Sequence, residues 1–245
     1  MKNFKIIIEY DGTNFHGWQR QKKDATIQGE IEKALWIMTR NRVTLNGSGR
    51  TDAGVHAVGQ AANFRCDTNL EPDIFQRGLN SLLPQDIIIK ECRQVEDTFH
   101  ARYSVKSKIY HYKIFNRAVP TAINRRYVWS IRKQLDTRAM RTAISYIIGS
   151  HDFKAFEGAG SPRAHTTRHV MVADLIESDN WLLTFRIEAD GFLRFMVRNI
   201  VGTLVDVGLG KTLPAEFKQI LKSGDRSKAG ATAPACGLCL MEVKY

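Results

Sequence analysis

The chain has 245 residues, 43% hydrophobic and 25% charged, with 36 Lys and Arg against 25 Asp and Glu for a formal charge of +11. That length allows one large domain or two of roughly 100–150 residues each, and the composition is that of an ordinary soluble globular protein. No apolar run approaches the ~20 residues needed to span a bilayer, and the cationic excess favours a polyanionic partner, either nucleic acid or an anionic membrane surface.

In chain order, strand and helix signals alternate. The opening Met1-Lys2-Asn3-Phe4-Lys5-Ile6-Ile7-Ile8-Glu9-Tyr10 has an apolar part too short for a secretory signal, so Lys5–Tyr10 reads as a first strand. Thr26 is placed to cap a helix whose apolar positions Ile27, Ile31, Ala34, Leu35 and Met38 recur at helical spacing. Val43–Leu45 and Ala61–Phe64 read as strands, Glu71–Leu83 as a helix stopping before Pro84, and Asp86–Val95 as strand. A second cycle starts near Ser104. It has a long strand over Ser107–Phe115, a capped helix over Asp136–Ile148, and strands over His165–Ile176 and Trp181–Ile187. Leu193, Met196, Val197, Ile200, Val201 and Leu204 make a helical stripe. A short helix over Pro214–Leu221 and a closing strand over Gly237–Lys244 follow. The two halves have similar composition and element order. The expected fold is α+β, with two related α/β halves, residues 1–103 and 104–245, packed around a shared, mainly antiparallel sheet.

The basic residues fall in short clusters: Arg20/Lys22/Lys23, Arg125/Arg126, Arg132/Lys133 and Arg163/Arg168/His169. Several have an aromatic beside them, such as Trp18, Tyr127 and Trp129. Such mixing suits a groove that meets phosphates and bases together, although charge alone fits a solvated basic surface equally well. Of the four cysteines, Cys236 and Cys239 form a lone Cys-x-x-Cys with no second pair at zinc-site spacing. Small buried thiols in a reducing, cytoplasmic compartment are therefore expected, not a metal or redox centre.

The stretch richest in chemistry is Asn46-Gly47-Ser48-Gly49-Arg50-Thr51-Asp52-Ala53-Gly54-Val55-His56-Ala57. Its glycines at 47, 49 and 54 allow unusual backbone dihedrals and close approach of a ligand. Between them stand a cation, a hydroxyl and a carboxylate. Short polar loops after a strand often carry function, yet an aspartate in a Gly-rich turn commonly bonds only its own backbone. The residues by themselves leave the two readings level.

Gly49-Arg50-Thr51-Asp52-Ala53-Gly54-Val55-His56-Ala57 resembles the signature of the TruA family of tRNA pseudouridine synthases. Other segments agree in order and spacing: Tyr10-Asp11-Gly12-Thr13, Phe15-His16-Gly17-Trp18-Gln19, Phe99-His100-Ala101-Arg102, Tyr110-His111-Tyr112, His151-Asp152-Phe153, Met196-Val197-Arg198-Asn199-Ile200-Val201-Gly202 and Ala233-Pro234-Ala235-Cys236-Gly237-Leu238. The resemblance covers essentially the whole chain. It implies an isomerase that turns uridine into pseudouridine at tRNA positions 38, 39 and 40, in the anticodon stem-loop, with no metal, nucleotide or redox cofactor. It implies helices on one side of the sheet and an RNA-binding cleft on the other, the first half carrying the catalytic loop and the second completing the cleft. It also implies a homodimer, with one tRNA touching both subunits.

Within that resemblance Asp52 is the nucleophile, attacking either the ribose C1′ or the uracil C6. An aspartate has a reference pKa of ~3.9 and is ionised near neutrality, and a carboxylate can form a covalent intermediate and leave again. The target base has to leave its stack first, at a cost of about a few kcal/mol. Tyr110 is implied as the ring that stacks on the target uracil. Arg198 is implied as the cation paired with Asp52, and Arg194, one helical turn earlier, shares its side of the helix. Arg50, Arg20, Lys22 and Lys23 are the candidate contacts to the RNA backbone.

Two other readings stay open on the residues alone: a non-catalytic RNA-binding protein, and a metal-dependent nuclease using Asp52 and His56. The second is short of carboxylates, because hard divalent cations prefer several oxygen ligands. Gly208-Leu209-Gly210-Lys211-Thr212 ends like a phosphate-binding loop but follows a helix where a strand is required, so Gly208 or Gly210 reads as a helix cap. His165 and His169 are four apart in a strand-like stretch, which separates their rings by ~13 Å and argues against a zinc pair.

Overall fold

Phe4, Ile6, Ile8 and Tyr10 are all buried and form one face of β1 (Lys2–Tyr10). The computed structural model describes residues 1–160 and 165–245, so Arg163 of the fourth basic cluster lies outside the described residues. Contacts divide the chain into two units, Met1–Lys106 with Cys239–Tyr245, and Ser107–Leu238. Both are α+β with mainly antiparallel strands.

In the first unit β1 is followed by α1 (Ile27–Thr39), β2 (Asn46–Gly47), β3 (His56–Cys66), α2 (Pro72–Leu82) and β4 (Ile87–Val95). β1 lies between β3 and β4 and pairs antiparallel with both, Ile6 standing opposite Ala62 and Cys92. The Thr26 hydroxyl accepts from the Gly29 N–H at 3.3 Å, the cap its position predicts. α2 opens with Pro72, whose missing N–H costs nothing at a first helical position. It buries Phe75 and Leu79, and Phe75 meets Phe4 and Phe64 with ring centroids 4.9 and 5.2 Å apart. Full burial of such a ring contributes about 1.5–3 kcal/mol.

Val43–Leu45, expected as a strand, is not one. The Leu45 N–H donates to Glu32 Oε1 and its carbonyl accepts from Gln28 Nε2, both at 3.1 Å. Side chains of α1 thus satisfy the backbone groups that a neighbouring strand would have taken. Pairing begins one residue later, where Asn46 and Gly47 face Asn63 and Ala62 of β3. Buried asparagines serve the same end elsewhere. Asn63 donates to Asn3 and accepts from the Ala101 N–H, and Asn3 donates to the carbonyls of Glu96 and Phe99, all at 2.9 Å. They fasten the Phe99-His100-Ala101-Arg102 segment.

The second unit contains β5 (Ser107–Asn116), β6 (Trp129–Ile131), α3 (Thr137–Ser145), β7 (Gly149–Asp152), β8 (Thr167–Ser178), β9 (Leu182–Ala189), α4 (Met196–Gly208) and α5 (Pro214–Ser223). β5, β9, β8 and β7 run antiparallel in that order, and β6 joins β5 in parallel. β6 and β7 are three and four residues long, too short to leave a periodic signal. Asp136 caps α3 by accepting from the Ala139 N–H at 2.9 Å. α4 starts at Met196, not at Leu193, because Phe195 has φ 61° and breaks the helical run. At its other end Gly210 takes φ 71°, the capping geometry expected of that glycine pair.

β10 (Leu238–Lys244) then groups with the first unit, although it reads as part of the 104–245 half. Cys239 and Leu240 pair in parallel with His56 and Ala57 of β3. The Lys244 carbonyl accepts from the Lys106 N–H, and the Tyr245 hydroxyl donates to the Ala101 carbonyl, both at 2.9 Å. Lys5 Nζ sits 3.9 Å from the Tyr245 ring centroid, a cation–π contact. No helix among the described residues is long and apolar enough to cross a membrane.

Candidate active site

In the first unit, residues 48–55 form the loop between β2 and β3, and it is pinned along its length. The Ser48 N–H donates to the Ala61 carbonyl at 2.8 Å, and the Ser48 hydroxyl bonds Gln60 Oε1 at 2.6 Å. The same Gln60 donates to the Gly49 carbonyl at 3.1 Å. The Tyr10 and Thr51 hydroxyls are 2.8 Å apart and buried, and the Thr51 carbonyl accepts from the Trp18 N–H at 3.1 Å. Burial keeps the Tyr10 phenol well above its usual range, so it stays neutral and serves as a hydrogen-bonding brace. The Gly54 N–H donates to the Phe15 carbonyl at 3.3 Å, and a turn closes by Val55 N–H to the Asp52 carbonyl at 3.2 Å.

Of the three glycines read as backbone hinges, Gly54 takes a left-handed φ of 77°, while Gly47 serves packing. A Cβ at Gly47 would stand 2.6 Å from the Trp18 indole, which is buried against it. The result is a loop whose backbone is fixed while Arg50 and Ala53 are exposed and Asp52 is half-buried. His56 is buried, accepts from the Gly12 N–H through Nδ1 at 3.1 Å, and lies 3.1 Å from Asp11 Oδ1. It braces the start of β3.

Arg20, Lys22 and Lys23 follow Trp18 in one exposed segment. Arg20 Nη1 pairs with Glu32 Oε2 at 2.8 Å, a carboxylate only 8% exposed, while Lys22 and Lys23 have no ion pair among the described residues. The loop and these cations belong to the same unit, tied by the Trp18–Thr51 bond.

In the second unit, Tyr110 and Tyr112 share a face of β5. Tyr110 is 7% exposed and meets Phe192 edge-on, ring centroids 5.0 Å apart. Tyr112 is fully buried and its hydroxyl donates to the Pro234 carbonyl at 2.8 Å. Arg198 lies in the first turn of α4, its Nε donating to the Ala233 carbonyl at 2.8 Å. The Ala233 N–H returns a bond to the Arg198 carbonyl at 3.1 Å. Arg194 precedes the helix, so the expected one-turn relation fails. Both guanidiniums nevertheless reach Phe195, 4.7 and 5.1 Å from its ring centroid.

A supporting network around Arg198 was not legible in the sequence. Asn199, wholly buried, donates to the Phe156 carbonyl at 2.8 Å and accepts from Thr232 Oγ1 at 2.7 Å and Arg226 Nη2 at 3.0 Å. Gly202 presses on the same segment, since a Cβ there would meet the Ala231 carbonyl oxygen at 1.7 Å. Residues 226–233 are thereby clamped to α4 beside Arg198. The only hint was that Asn199 and Gly202 share the quoted motif with Arg198.

A family model described as tRNA pseudouridine synthase matches residues 6–104 and 143–245. The chain is 47% identical to tRNA pseudouridine synthase A of Acetivibrio thermocellus over 245 residues, and 48% identical to that of Thermoanaerobacter sp. strain X514 over 246, covering all of each chain. It is 45% identical to tRNA pseudouridine synthase A 2 of Clostridium perfringens, again over the full length of both. A solved chain of the archaeal box H/ACA sRNP Nop10-Cbf5 complex gives a TM-score of 0.39 at 12% identity, over 97% of this chain and 48% of that one, too low a likeness to add to the assignment. With matches that span both units and include the pinned Asp52 loop, the chain belongs to the tRNA pseudouridine synthase family and is an isomerase that forms pseudouridine in tRNA.

Proposed function

We propose that the enzyme modifies uridines 38, 39 and 40 in the anticodon stem-loop of tRNA, with Asp52 as nucleophile. The observation that carries this reading is a half-buried carboxylate on a loop whose backbone is tied down on both sides of it. A fixed backbone holds the attacking oxygen in place, so little ordering remains for the reaction step. A carboxylate oxygen of Asp52 attacks the ribose C1′ or the uracil C6. The N1–C1′ bond breaks, the base turns while held from solvent, C5 bonds to C1′, and the bond from the Asp52 oxygen to C1′ or C6 breaks again to return the free carboxylate. The C5 proton leaves as N1 gains one, so uridine and pseudouridine balance without any co-reactant.

Tyr110 and Arg198 keep the roles that the resemblance implies, a stacking ring and a cation. Arg50, exposed beside the nucleophile, contacts the RNA backbone with Arg20, Lys22 and Lys23. The enzyme works as a cytoplasmic homodimer on one tRNA at a time, a reading supported by the resemblance.

The test is incubation of purified protein with unmodified tRNA, followed by chemical mapping of pseudouridine. New pseudouridine at positions 38, 39 and 40 supports the site assignment, and product only elsewhere overturns it. Asp52→Asn is expected to abolish turnover while the tRNA Kd changes by less than about threefold, because phosphate contacts dominate affinity. A near-normal rate in that variant removes Asp52 as nucleophile. Light scattering should give twice the monomer mass, and a monomer at working concentration would end the dimer reading.

A further inference from the structure

Within the first unit lies a groove with a volume of about 770 Å³. It runs between the Arg20–Thr26 segment, one side of α1 and residues 42–44. That volume lies within the ~300–1,000 Å³ range of sites that take small molecules. Its charges sort into two groups. Arg20 and Lys33 are occupied, pairing with Glu32 at 2.8 Å and Glu30 at 2.7 Å. Glu32 also accepts from Gln28 Nε2 at 3.0 Å and the Leu45 N–H at 3.1 Å, so it is spent on holding the wall together. Lys22, Lys23 and Arg42 remain, exposed and without an ion pair among the described residues, facing only Asp24 as an uncommitted carboxylate.

The wall also carries Trp36, 50% exposed on α1. Its ring has the Arg40 guanidinium 5.7 Å from the centroid. An indole left half in water beside three unpaired cations is the combination that recognises a nucleotide: a face for the base, point charges for the phosphates. One edge of the groove connects to the Asp52 loop through the chain and a hydrogen bond, since Arg20 is two residues from Trp18, whose backbone N–H holds the Thr51 carbonyl next to Asp52.

We propose that this groove is a second RNA subsite, taking an unpaired nucleotide of the bound tRNA away from the target uridine. Its base stacks on Trp36 and its phosphates meet Lys22, Lys23 and Arg42. The inference rests on tRNA being the substrate, and it adds Trp36 and Arg42, which neither the motifs nor the charge clusters marked.

The experiment measures tRNA Kd at several salt concentrations for the wild type, Trp36→Leu, Trp36→Phe and the triple variant Lys22→Ala/Lys23→Ala/Arg42→Ala, with thermal melts as the check on folding. Base stacking on an aromatic is lost in Trp36→Leu, which keeps apolar bulk without a π face, so Kd should weaken about tenfold. Trp36→Phe should restore most of the affinity. The triple variant should lower the slope of log Kd against log salt by about two to three. Wild-type Kd in a folded Trp36→Leu overturns the subsite, as does equal weakening in the Leu and Phe variants. If the wild-type protein itself forms no pseudouridine in tRNA, the substrate reading fails instead, and the two failures are told apart by that control.

Discussion

The backbone around Asp52 is held by side chains and backbone groups from outside the loop. Tyr10 and Trp18 hold the loop from distant parts of the sequence and Gln60 from the strand that follows it, and the Tyr10–Thr51 contact is buried at 2.8 Å. Tyr10→Phe removes that contact and leaves the Thr51 hydroxyl to find another partner. It should cost about 1–3 kcal/mol of stability and slow turnover more than it weakens tRNA binding, as seen by urea melts and single-turnover rates. His111 offers a second residue-scale test. It faces Arg186 across β5 and β9, and burial, then Arg186 and Lys113, hold its imidazole below the ordinary 6.5. The unfolded chain therefore binds more protons in the window just below that value, so this contribution to stability is present at higher pH and lost as pH falls through about 6.5. Wild type should lose more melting temperature between pH 8 and pH 5.5 than His111→Gln, and equal losses would refute the assignment. The loop around Asp52 stood out in the sequence because its residues form a long motif. Its braces did not, because a lone tyrosine or glutamine in a strand carries no sign of which loop it will meet.

At the scale of elements, α4 and the segment clamped to it act as one piece. The sequence stripe from Leu193 to Leu204 predicts the helix but misplaces its start, since Leu193 is buried in register with the stripe while Phe195 turns left-handed. Hydrophobic period reports which residues face the core, and it is blind to a single backbone reversal between them. Asn199→Ala should leave Arg226 and Thr232 short of their shared acceptor, with a loss of about 1–3 kcal/mol. It should also lower kcat through a looser Arg198, whereas Asn199→Asp, which keeps the acceptor oxygen, should retain more activity. Comparing the two variants by turnover and thermal melts checks both parts. The first unit has its own keystone in Phe75, and Phe75→Ala should cost about 3–5 kcal/mol in chemical denaturation. The strand read at Val43–Leu45 failed for a comparable reason: three apolar-leaning residues fit an edge strand, but Gln28 and Glu32 reached their backbone first.

For the molecule as a whole, a charge of +11 sets the terms of its encounter with tRNA. Affinity should fall steeply and linearly on a log–log plot against salt, with a slope of about 0.9 per phosphate neutralised, and a flat response would contradict phosphate-led binding. The α+β character and most strand and helix positions followed from pattern alone. The return of β10 to β3 did not, because a short apolar strand announces that it will pair but not with what. That return makes the first unit discontinuous, with the whole second unit threaded between β4 and its final strand. On a translating ribosome, the earliest-made half is consequently the last to be completed. Until Cys239 and Leu240 leave the exit tunnel, the edge of β3 beside His56 and Ala57 stays uncovered and open to mispairing, so nascent chains are most in need of chaperone shielding during the interval in which the second unit is being made.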